Sequence, residues 1–520
     1  MRNIFIIRLG RLGDVTLTGP TIKNLRFLYP DSKISYITRE PYQSLCHSLF
    51  GVDEVLTFPN EGSYLDLVKL SIKLDDFQPD LVVDLHKNFR SFHLANLCKA
   101  RYKVVYKKRR KERQAAVNEK IFVSPIPHTI DQYNLVIDKL KGERIARRPD
   151  IFIPYDKLSD CNFRREGVAI APGAGSSVKC WPIENFVSVI EKLIGDFNFP
   201  ISLFLSSSDD AIADKISHFP ADRVSIFWDE PLDRIGEILS QYRLSLTNDS
   251  GLMHISSAAG TPTLGLFGPT HEQLGFYPLG VHDVMLGTDE KCRPCSLHGN
   301  VPCYREKQYC FTRMTVDFVY KQMIRILDKE NLCPAVFIDR DGTLIVDEHY
   351  LANPDKIKFI DGSINALHRL KKAGFKIVIV SNQSGVARGF FPEEAVVKVH
   401  NRLEALLKEN GIEIDDIRFC PYHPDGDVPE YTKEDECRKP RPGMLEKSAM
   451  ELGIDLKRSY MIGDKLSDVQ CGQAAGAIPV LVRTGYGMET EKDYPAAPYP
   501  PPYFLCDNLS AAADRILSKS

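Results

Sequence analysis

The stretch AVFIDRDGTL, residues 335–344, sets two carboxylates, Asp339 and Asp341, at the point where an apolar run stops. Val336, Phe337 and Ile338 read as a buried strand. Residues two apart in a strand face the same side, so both acids overlook one pocket and bracket Arg340. A carboxylate placed this way can attack phosphorus and carry it as an aspartyl-phosphate. The second carboxyl can protonate the leaving oxygen and then activate water. Gly342 and Thr343 turn the chain away, and Thr343 is counted with the phosphate-binding groups. Two solvated acids after a buried strand would be the plain alternative, but three further strand-end clusters complete a site. KIVIVSNQSG (376–385) ends in Ser381 and Asn382, a hydroxyl and an amide able to hold a transferring phosphoryl group. Cys437-Arg438-Lys439-Pro440 offers the cations Arg438 and Lys439 to phosphate charge. SYMIGDKLSDVQ (459–470) brings Asp464, which can join Asp339 and Asp341 (the latter through its backbone) on Mg²⁺, a hard ion that prefers oxygen. Asp468 is placed to orient that metal shell.

Two more clusters lie upstream. NIFII (3–7) runs into RLGRLGD, so Asp14 sits where a strand ends and a helix near Val15 begins. It is either an N-cap or a general base. GVAIAPGAGSSVKCWPIENF (167–186) has a small-residue loop with Lys179 close behind; backbone N–H groups plus one lysine suit a diphosphate. Trp181-Pro182 then enters a helix with Glu184 in its first turn. In SLTNDSGLMHISSAAGTPTLGLFGPT (245–270), a strand ends at Thr247, and Asn248-Asp249-Ser250-Gly251 opens a helix whose N-terminus can hold a phosphate oxygen. Leu252 and His254 follow within its first turn.

Positioning these clusters needs strands alternating with helices. KISYIT (33–38), a helix near 41–50, EVLTF (54–58), a helix near 63–75 and DLVVDL (80–85) continue the first unit, the last strand ending in the polar run His86-Lys87-Asn88-Phe89-Arg90. ISLFLS (201–206) and RVSIFW (223–228) continue the second. This βαβα pattern implies mainly parallel sheets. A break rich in proline and polar residues near 149–160 reads as a hinge, and PAAPYPPPY (495–503) as a surface link. The helix TVDFVYKQMIRILDKE (315–330) closes the first part of the chain.

With 520 residues, about three domains are expected. A hydrophobic share of 43% and a charged share of 26% are those of a globular protein. The net charge of −2 argues against a general nucleic-acid role. No apolar run approaches the ~18 residues of a membrane span, so any membrane contact is expected to be peripheral. Thirteen scattered cysteines and no signal sequence fit a reducing cytoplasm better than a disulfide framework. Cys292, Cys295, Cys303 and Cys310 crowd one segment: either a tetrahedral Zn²⁺ staple or free thiols in a packed loop. KVVYKKRRKER (103–113) is the densest basic run, either solvated surface or a patch for an anionic acceptor at a membrane face.

The LGxLGD opening, the loop with Lys179 and Trp181-Pro182, and the NDSGLMH block with its GTPTLGLFGPT sequel resemble the ADP-heptose:lipopolysaccharide heptosyltransferases, an inverting GT-B family. The resemblance implies two Rossmann-like domains, 1–155 on the acceptor side and 156–330 on the donor side, and no metal for transfer. It makes Asp14 the acceptor-hydroxyl base, Lys179 a ligand of the sugar-nucleotide phosphates, and Asp249, Ser250, Gly251, Leu252 and His254 the donor-site lining. Residues 334–520, with SNQSGVARG, CRKPRPGM and IGDKLSD, resemble the haloacid dehalogenase-like phosphatases, in particular the heptose 1,7-bisphosphate phosphatases and the related histidinol-phosphate phosphatases. That implies a third Rossmann-like α/β domain with little or no cap, Asp339 as nucleophile, Asp341 as acid/base, and Ser381 and Lys439 on the phosphate. Those families often carry a CxH…CxC zinc loop. Here Cys420, His423 and Cys437 remain, but Tyr422 and Asp435 stand at two ligand places, so the Zn²⁺ set is incomplete. Together the resemblances imply a cytoplasmic bifunctional enzyme acting on heptose bisphosphate and ADP-heptose, with a lipopolysaccharide core acceptor at the inner membrane face. The alternative is a small-phosphomonoester phosphatase fused to a non-catalytic sugar- or lipid-binding module.

Overall fold

The structure is a computed structural model and describes residues 1–120, 126–158, 164–207, 209–329, 331–493 and 504–518. The proline-rich 495–503 stretch lies outside them. The chain divides into two compact units, Met1–Ile153 with Arg165–Asn331, and Pro154–Arg164 with Leu332–Ser520.

The first unit holds two sheets. One is built from β1 (Asn3–Ile7), β2 (Lys33–Arg39), β3 (Glu54–Phe58), β4 (Leu81–Asp84) and β5 (Tyr102–Val105) in the order β3-β2-β1-β4-β5. The other is built from β6 (Val168–Ala171), β7 (Ile201–Leu205), β8 (Val224–Trp228), β9 (Leu244–Asn248), β10 (Thr263–Phe267) and β11 (Val284–Gly287) in the order β11-β10-β9-β6-β7-β8. The second unit holds β12 (Ala335–Asp339), β13 (Lys376–Asn382), β14 (Asp416–Cys420), β15 (Tyr460–Gly463), β16 (Ile478–Val482) and β17 (Phe504–Cys506), ordered β14-β13-β12-β15-β16-β17. Every pairing within these sheets is parallel. The central strands are covered on both faces, so they read as unbroken apolar runs: Ile4–Ile7, Val168–Ala171 and Ala335–Ile338 are all buried. No second sheet interrupts the unit after Leu332 among the described residues, in line with a fold lacking a large cap.

Each sheet reverses its strand order once, beside its first strand: between β1 and β4, between β6 and β9, and between β12 and β15. In open parallel sheets the crevice beyond the carboxyl ends at such a point is where ligands sit. The strand-end clusters at Asp14 and His86, at Lys179 and Asp249, and at Asp339 and Asp464 flank these three points.

Several local expectations change. The first helix starts at Leu12 rather than near Val15 and breaks into Leu12–Thr16 and Gly19–Leu28, the second with Pro20 in its first turn, where a missing N–H costs nothing. The expected helix near 41–50 is a short 3₁₀ turn, Glu40–Tyr42, followed by Gln43–His47. The basic run is not a uniform solvated face. Its start forms β5, an edge strand, and its end opens the helix Arg110–Glu119, where buried Arg113 donates to Thr129 Oγ1 at 2.9 Å and lies over the Phe276 ring. Charged residues on an edge strand discourage pairing with another chain.

The helix Thr129–Lys139, which carries Tyr133 toward Asp14, begins at buried His128. His128 Nδ1 accepts from Ile130 N at 3.2 Å, and its Nε2 lies 3.0 Å from Tyr277 O. The pair of contacts demands a neutral ring with the proton on Nε2, and burial holds the pKa down to about 3. An unfolded histidine binds its proton near pH 6.5 and the native one does not, so stability falls as pH drops below about 6.5, by up to about 1.4 kcal/mol per pH unit. We expect His128→Gln to flatten the slope of unfolding free energy against pH between about 6 and 4.5 by up to one proton, read by denaturant titration. A slope identical to that of the parent would show that His128 is not buried neutral.

Candidate active sites

In the second unit β12 ends at Asp339, the loop after β15 supplies Asp464, and the first turn of the helix Leu466–Ala475 supplies Asp468. Ligand-capable oxygens of these three buried acids lie within 4.8 Å of one another. Lys439 Nζ stands between two of them, 2.7 Å from Asp339 Oδ1 and 2.7 Å from Asp468 Oδ1, and also donates to Val380 O at 3.1 Å. Burial pushes the Asp339 carboxyl up to about 6 against the pull of Lys439, with Asp468 adding to the rise. Burial, then Asp339 and Asp468, push Asp464 up to about 8. Lys439 is held above its ordinary value because the two acids outweigh the cost of burying its charge. Asp464 Oδ2 accepts from Tyr486 N at 2.8 Å, while its buried Oδ1 has no hydrogen-bond partner. Acids crowded to this degree, one oxygen unspent, are chemically suited to a divalent cation with oxygen preference.

Glycines permit this crowding. Gly485 has φ +54°, and a Cβ there would overlap Asp464 Oδ2 and lie 2.7 Å from Gly342 Cα. Gly342, at φ +85°, meets the same carboxylate. We expect Gly485→Ala to displace Asp464 and cut phosphate release by roughly 100-fold or more, since misplacement by about 1 Å can cost that much. Release within a few-fold of the parent would mean that Asp464 need not sit where this backbone holds it.

Asp341 is positioned differently from its partner. Arg340, fully buried, donates to it through Nε (3.1 Å to both carboxylate oxygens) and Nη2 (2.8 Å), and Gln383 Nε2 donates to Oδ2 at 3.0 Å. Its carboxylate is outside the three-acid group, so only its backbone remains for a metal. Arg340 is fixed in turn by His400, with Nη1 3.0 Å from Nε2. Gln383 also donates to Ser381 Oγ at 2.6 Å, tying the β13 hydroxyl to Asp341. Thr343 Oγ1 is buried without a hydrogen-bond partner.

The Asn382 side-chain amide is engaged at both ends. Its Nδ2 donates to Lys439 O at 2.9 Å and its Oδ1 accepts from Lys439 N at 3.0 Å, a two-way clamp on the lysine's backbone. Arg438 reaches Tyr422 O at 3.2 Å. The three remnants of the zinc loop, Cys420, His423 and Cys437, are engaged elsewhere. Cys420 and Cys437 form a disulfide across Cα atoms 5.4 Å apart, so neither thiolate is free, and the expectation of reduced thiols fails at this pair. His423 accepts from Asp425 N through Nδ1 at 3.0 Å and lies beside Arg388 through Nε2 at 3.3 Å. Cys292, Cys295, Cys303 and Cys310 are free thiols, but no three of them gather at metal-holding distance among the described residues. Cys303 Sγ turns instead toward Lys307 O.

In the first unit Asp14 lies inside the helix Leu12–Thr16, capped by Arg11, and so is not an N-cap. Arg8 Nη2 is 2.6 Å from its Oδ2 and Tyr133 Oη donates to Oδ1 at 3.3 Å. Burial alone would raise its pKa; Arg8, with His254, His86 and Arg113, holds it below the ordinary carboxylate value. His86 Nδ1 accepts from Leu9 N at 3.2 Å, fixing the loop that carries Arg8. The helix Gly251–Ala258 packs against this one through small residues: a Cβ on Gly13 would overlap the His254 ring, and one on Gly251 would lie 2.7 Å from Leu12 Cδ2. Close approach of backbone is what puts His254 near Asp14.

Lys179 Nζ is 2.8 Å from Asp249 Oδ2, which also accepts from Thr270 Oγ1 at 2.8 Å. Asn248 bridges the same loops, its Nδ2 donating to Pro172 O at 2.6 Å and its Oδ1 accepting from Trp181 N at 3.0 Å. Ser250 is the cap residue of the Gly251–Ala258 helix, yet its hydroxyl makes no cap bond; Ser250 Oγ and His254 Nδ1 are both buried without a hydrogen-bond partner. Leu252 stands in the first turn of this helix. Arg8, Tyr133, His86, Arg340 and Gln383 were not given roles from sequence; Arg340, lodged between two acids, and His86, opening a polar run at a strand end, carried a local signal.

Together these features define a chain that joins a two-sheet GT-B fold to a haloacid dehalogenase-like fold. Residues 67–302 match Glycosyltransferase family 9 (heptosyltransferase), and residues 436–512 match a HAD-hydrolase-like family. A glycosyl transferase family 9 structure from Veillonella parvula covers 63% of this chain and 98% of its own at 20% identity and a TM-score of 0.52, a likeness of fold. The D-glycero-beta-D-manno-heptose-1,7-bisphosphate 7-phosphatase of Yersinia pestis is 48% identical over 159 residues, 30% of this chain and 85% of the relative. That of Escherichia coli K12 is 45% identical over 161 residues, 31% of this chain and 84% of the relative. Through its C-terminal unit the chain belongs to the family of heptose-1,7-bisphosphate 7-phosphatases.

Proposed function

We propose that the chain has two activities in heptose and lipopolysaccharide core biosynthesis, with 1–155 as acceptor side and 156–330 as donor side of a heptosyltransferase, and 334–520 as a phosphatase. The phosphatase removes the 7-phosphate of heptose 1,7-bisphosphate. Asp339 attacks phosphorus and Asp341, held by Arg340 and Gln383, gives its proton to the leaving sugar oxygen, then takes one from the water that releases phosphate. Lys439 and Ser381 hold the phosphoryl oxygens. Asp339, Asp464 and the backbone of Asp341 would hold Mg²⁺, with Asp468 fixing Lys439 beside them; the bound ion supplies positive charge against the phosphoryl oxygens. In the transferase, Asp14 takes the proton of the acceptor hydroxyl, while Lys179, the Asp249–Leu252 turn and His254 hold the ADP-heptose. The acceptor is a lipopolysaccharide core sugar met at the inner membrane face. No helix among the described residues is long and apolar enough to cross a membrane.

The observation that carries the phosphatase reading is the Asp339, Asp464 and Asp468 group closed by Lys439. Its test is phosphate release with Mg²⁺ from each anomer of heptose 1,7-bisphosphate and from histidinol phosphate. Release selective for one heptose anomer is expected. Preference for histidinol phosphate would overturn the sugar assignment and with it the link between the two halves.

A further inference from the structure

The geometry points to a seat for the apolar chain of an anionic amphiphile in the first unit, at a cavity no part of the catalytic reading uses. The inference rests on the transferase reading for its purpose, which is to hold the acceptor by its anchor. The cavity has a volume of about 970 Å³ and lies beyond the carboxyl ends of β4 and β5, between the helices Phe89–Leu97 and Thr129–Lys139. Its apolar wall includes Phe89, Phe92, Val105 and Leu135. Phe89 and Phe92 are 68% and 61% exposed, two large rings left to water beside one hollow.

The lining is otherwise basic. Lys87, Lys103, Lys107 and Lys139 are all exposed. Lys103 and Lys139 donate to backbone oxygens, Asn96 O at 3.4 Å and Val105 O at 2.6 Å, and none of the four lysines is paired with a carboxylate among the described residues. The two acids of the lining are already engaged. Asp84 accepts from His86 N, Lys87 N and Ser91 Oγ, and Asp138 pairs with Arg144. Unneutralised positive charge therefore surrounds an apolar hollow. A sugar or nucleotide would call for converging polar groups on the walls, whereas an acyl chain with an anionic head satisfies the apolar wall and the lysines together.

The inner wall connects the cavity to the proposed chemistry. Tyr106, buried, stands edge to face with Tyr133 at 5.1 Å between ring centres, and Tyr133 Oη reaches Asp14. An amphiphile whose chain meets this inner wall lies two tyrosine rings from the base, with its head group out among the lysines.

The test titrates the full chain with dodecyl phosphate below its micellar concentration, by calorimetry, beside dodecyl maltoside (same chain, no charge) and inorganic phosphate (charge, no chain). Saturable binding of dodecyl phosphate is expected, at least about tenfold weaker in Phe92→Asp, a few-fold weaker in Lys107→Glu and weakened by added salt. Both positions are exposed, so neither change need disturb folding. Absence of saturable binding, or equal binding by parent and Phe92→Asp, overturns the proposal, and so does inorganic phosphate binding as tightly as the amphiphile. Heptose transfer to a water-soluble sugar acceptor is measured alongside. Binding as expected without transfer upholds the cavity and sinks the transferase reading; transfer without binding does the reverse.

Discussion

Asp339→Asn is expected to lower phosphate release by at least about 10⁴-fold, the scale seen when a covalent nucleophile is removed, while heptose transfer by the same chain stays at the parent level. The amide keeps the size of the carboxylate but cannot form an acyl phosphate. It also removes one negative charge from a group in which Asp339, Asp464 and Asp468 crowd around Lys439, 2.7 Å from Asp339 Oδ1. That second effect has its own signature. With one acid fewer, the repulsion that raises Asp464 is reduced, so the variant is expected to be at least as stable as the parent without added Mg²⁺ and to gain less thermal stability when Mg²⁺ is added. Binding of the ion to the native state raises stability in proportion to its differential affinity. Loss of activity together with loss of folding would instead mean that the Lys439 ion pair holds the loop. Residual release within tenfold of the parent would place the nucleophile elsewhere.

How much of this was legible follows from where each interaction lies along the chain. Strands such as Asn3–Ile7 and Ala335–Asp339 run where they were expected, because central strands buried on both faces leave an apolar signature bounded by polar turns. The acids at strand ends were readable for the same reason: a carboxylate directly after an apolar run has to emerge at the sheet's carboxyl edge. Partners drawn from distant sequence were not readable. Arg8 lies only six residues before Asp14, but Tyr133 reaches it from 119 residues away. Asn382 follows Ser381, but along a strand the two side chains point to opposite faces, and nothing local showed that the Asn382 amide meets the backbone of Lys439, 57 residues on. Cys420 and Cys437 resembled the remnant of a metal loop, whereas the end of β14 and the turn before Lys439 approach closely enough for a disulfide. Nor could charge density show that Arg113, the last arginine of a basic run, is buried beneath its neighbours.

The second large effect is expected at Asp14. Asp14→Asn should lower the rate of heptose transfer by about 10² to 10⁴-fold, the range for loss of a positioned general base, with the donor's KM little changed and phosphate release untouched. The pKa of this carboxylate runs counter to the simplest idea of a base: Arg8, with His254, His86 and Arg113, holds it below the ordinary value despite burial. A base weakened in this way accepts a proton poorly in the ground state, but it stays ionised down to the ordinary carboxylate range. Such a group serves best when the acceptor oxygen loses its proton late, as its bond to the sugar forms. The expected profile of transfer is therefore flat from neutral pH down to the ordinary carboxylate range, falling only below it. A rate falling already between pH 7 and 5 would place the base on another group. Replacing the acid also strands Arg8, which is 7% exposed at its side chain against 20% for Asp14. Breaking a fully buried pair costs about 3–5 kcal/mol, and a fifth-exposed partner should bring the cost well below that. The double change Arg8→Met with Asp14→Asn separates the two roles. If Asp14 is the base, stability returns in the double variant and transfer does not. Recovery of transfer along with stability would make Asp14 a structural partner of Arg8, and the acceptor proton would then have to leave by another route.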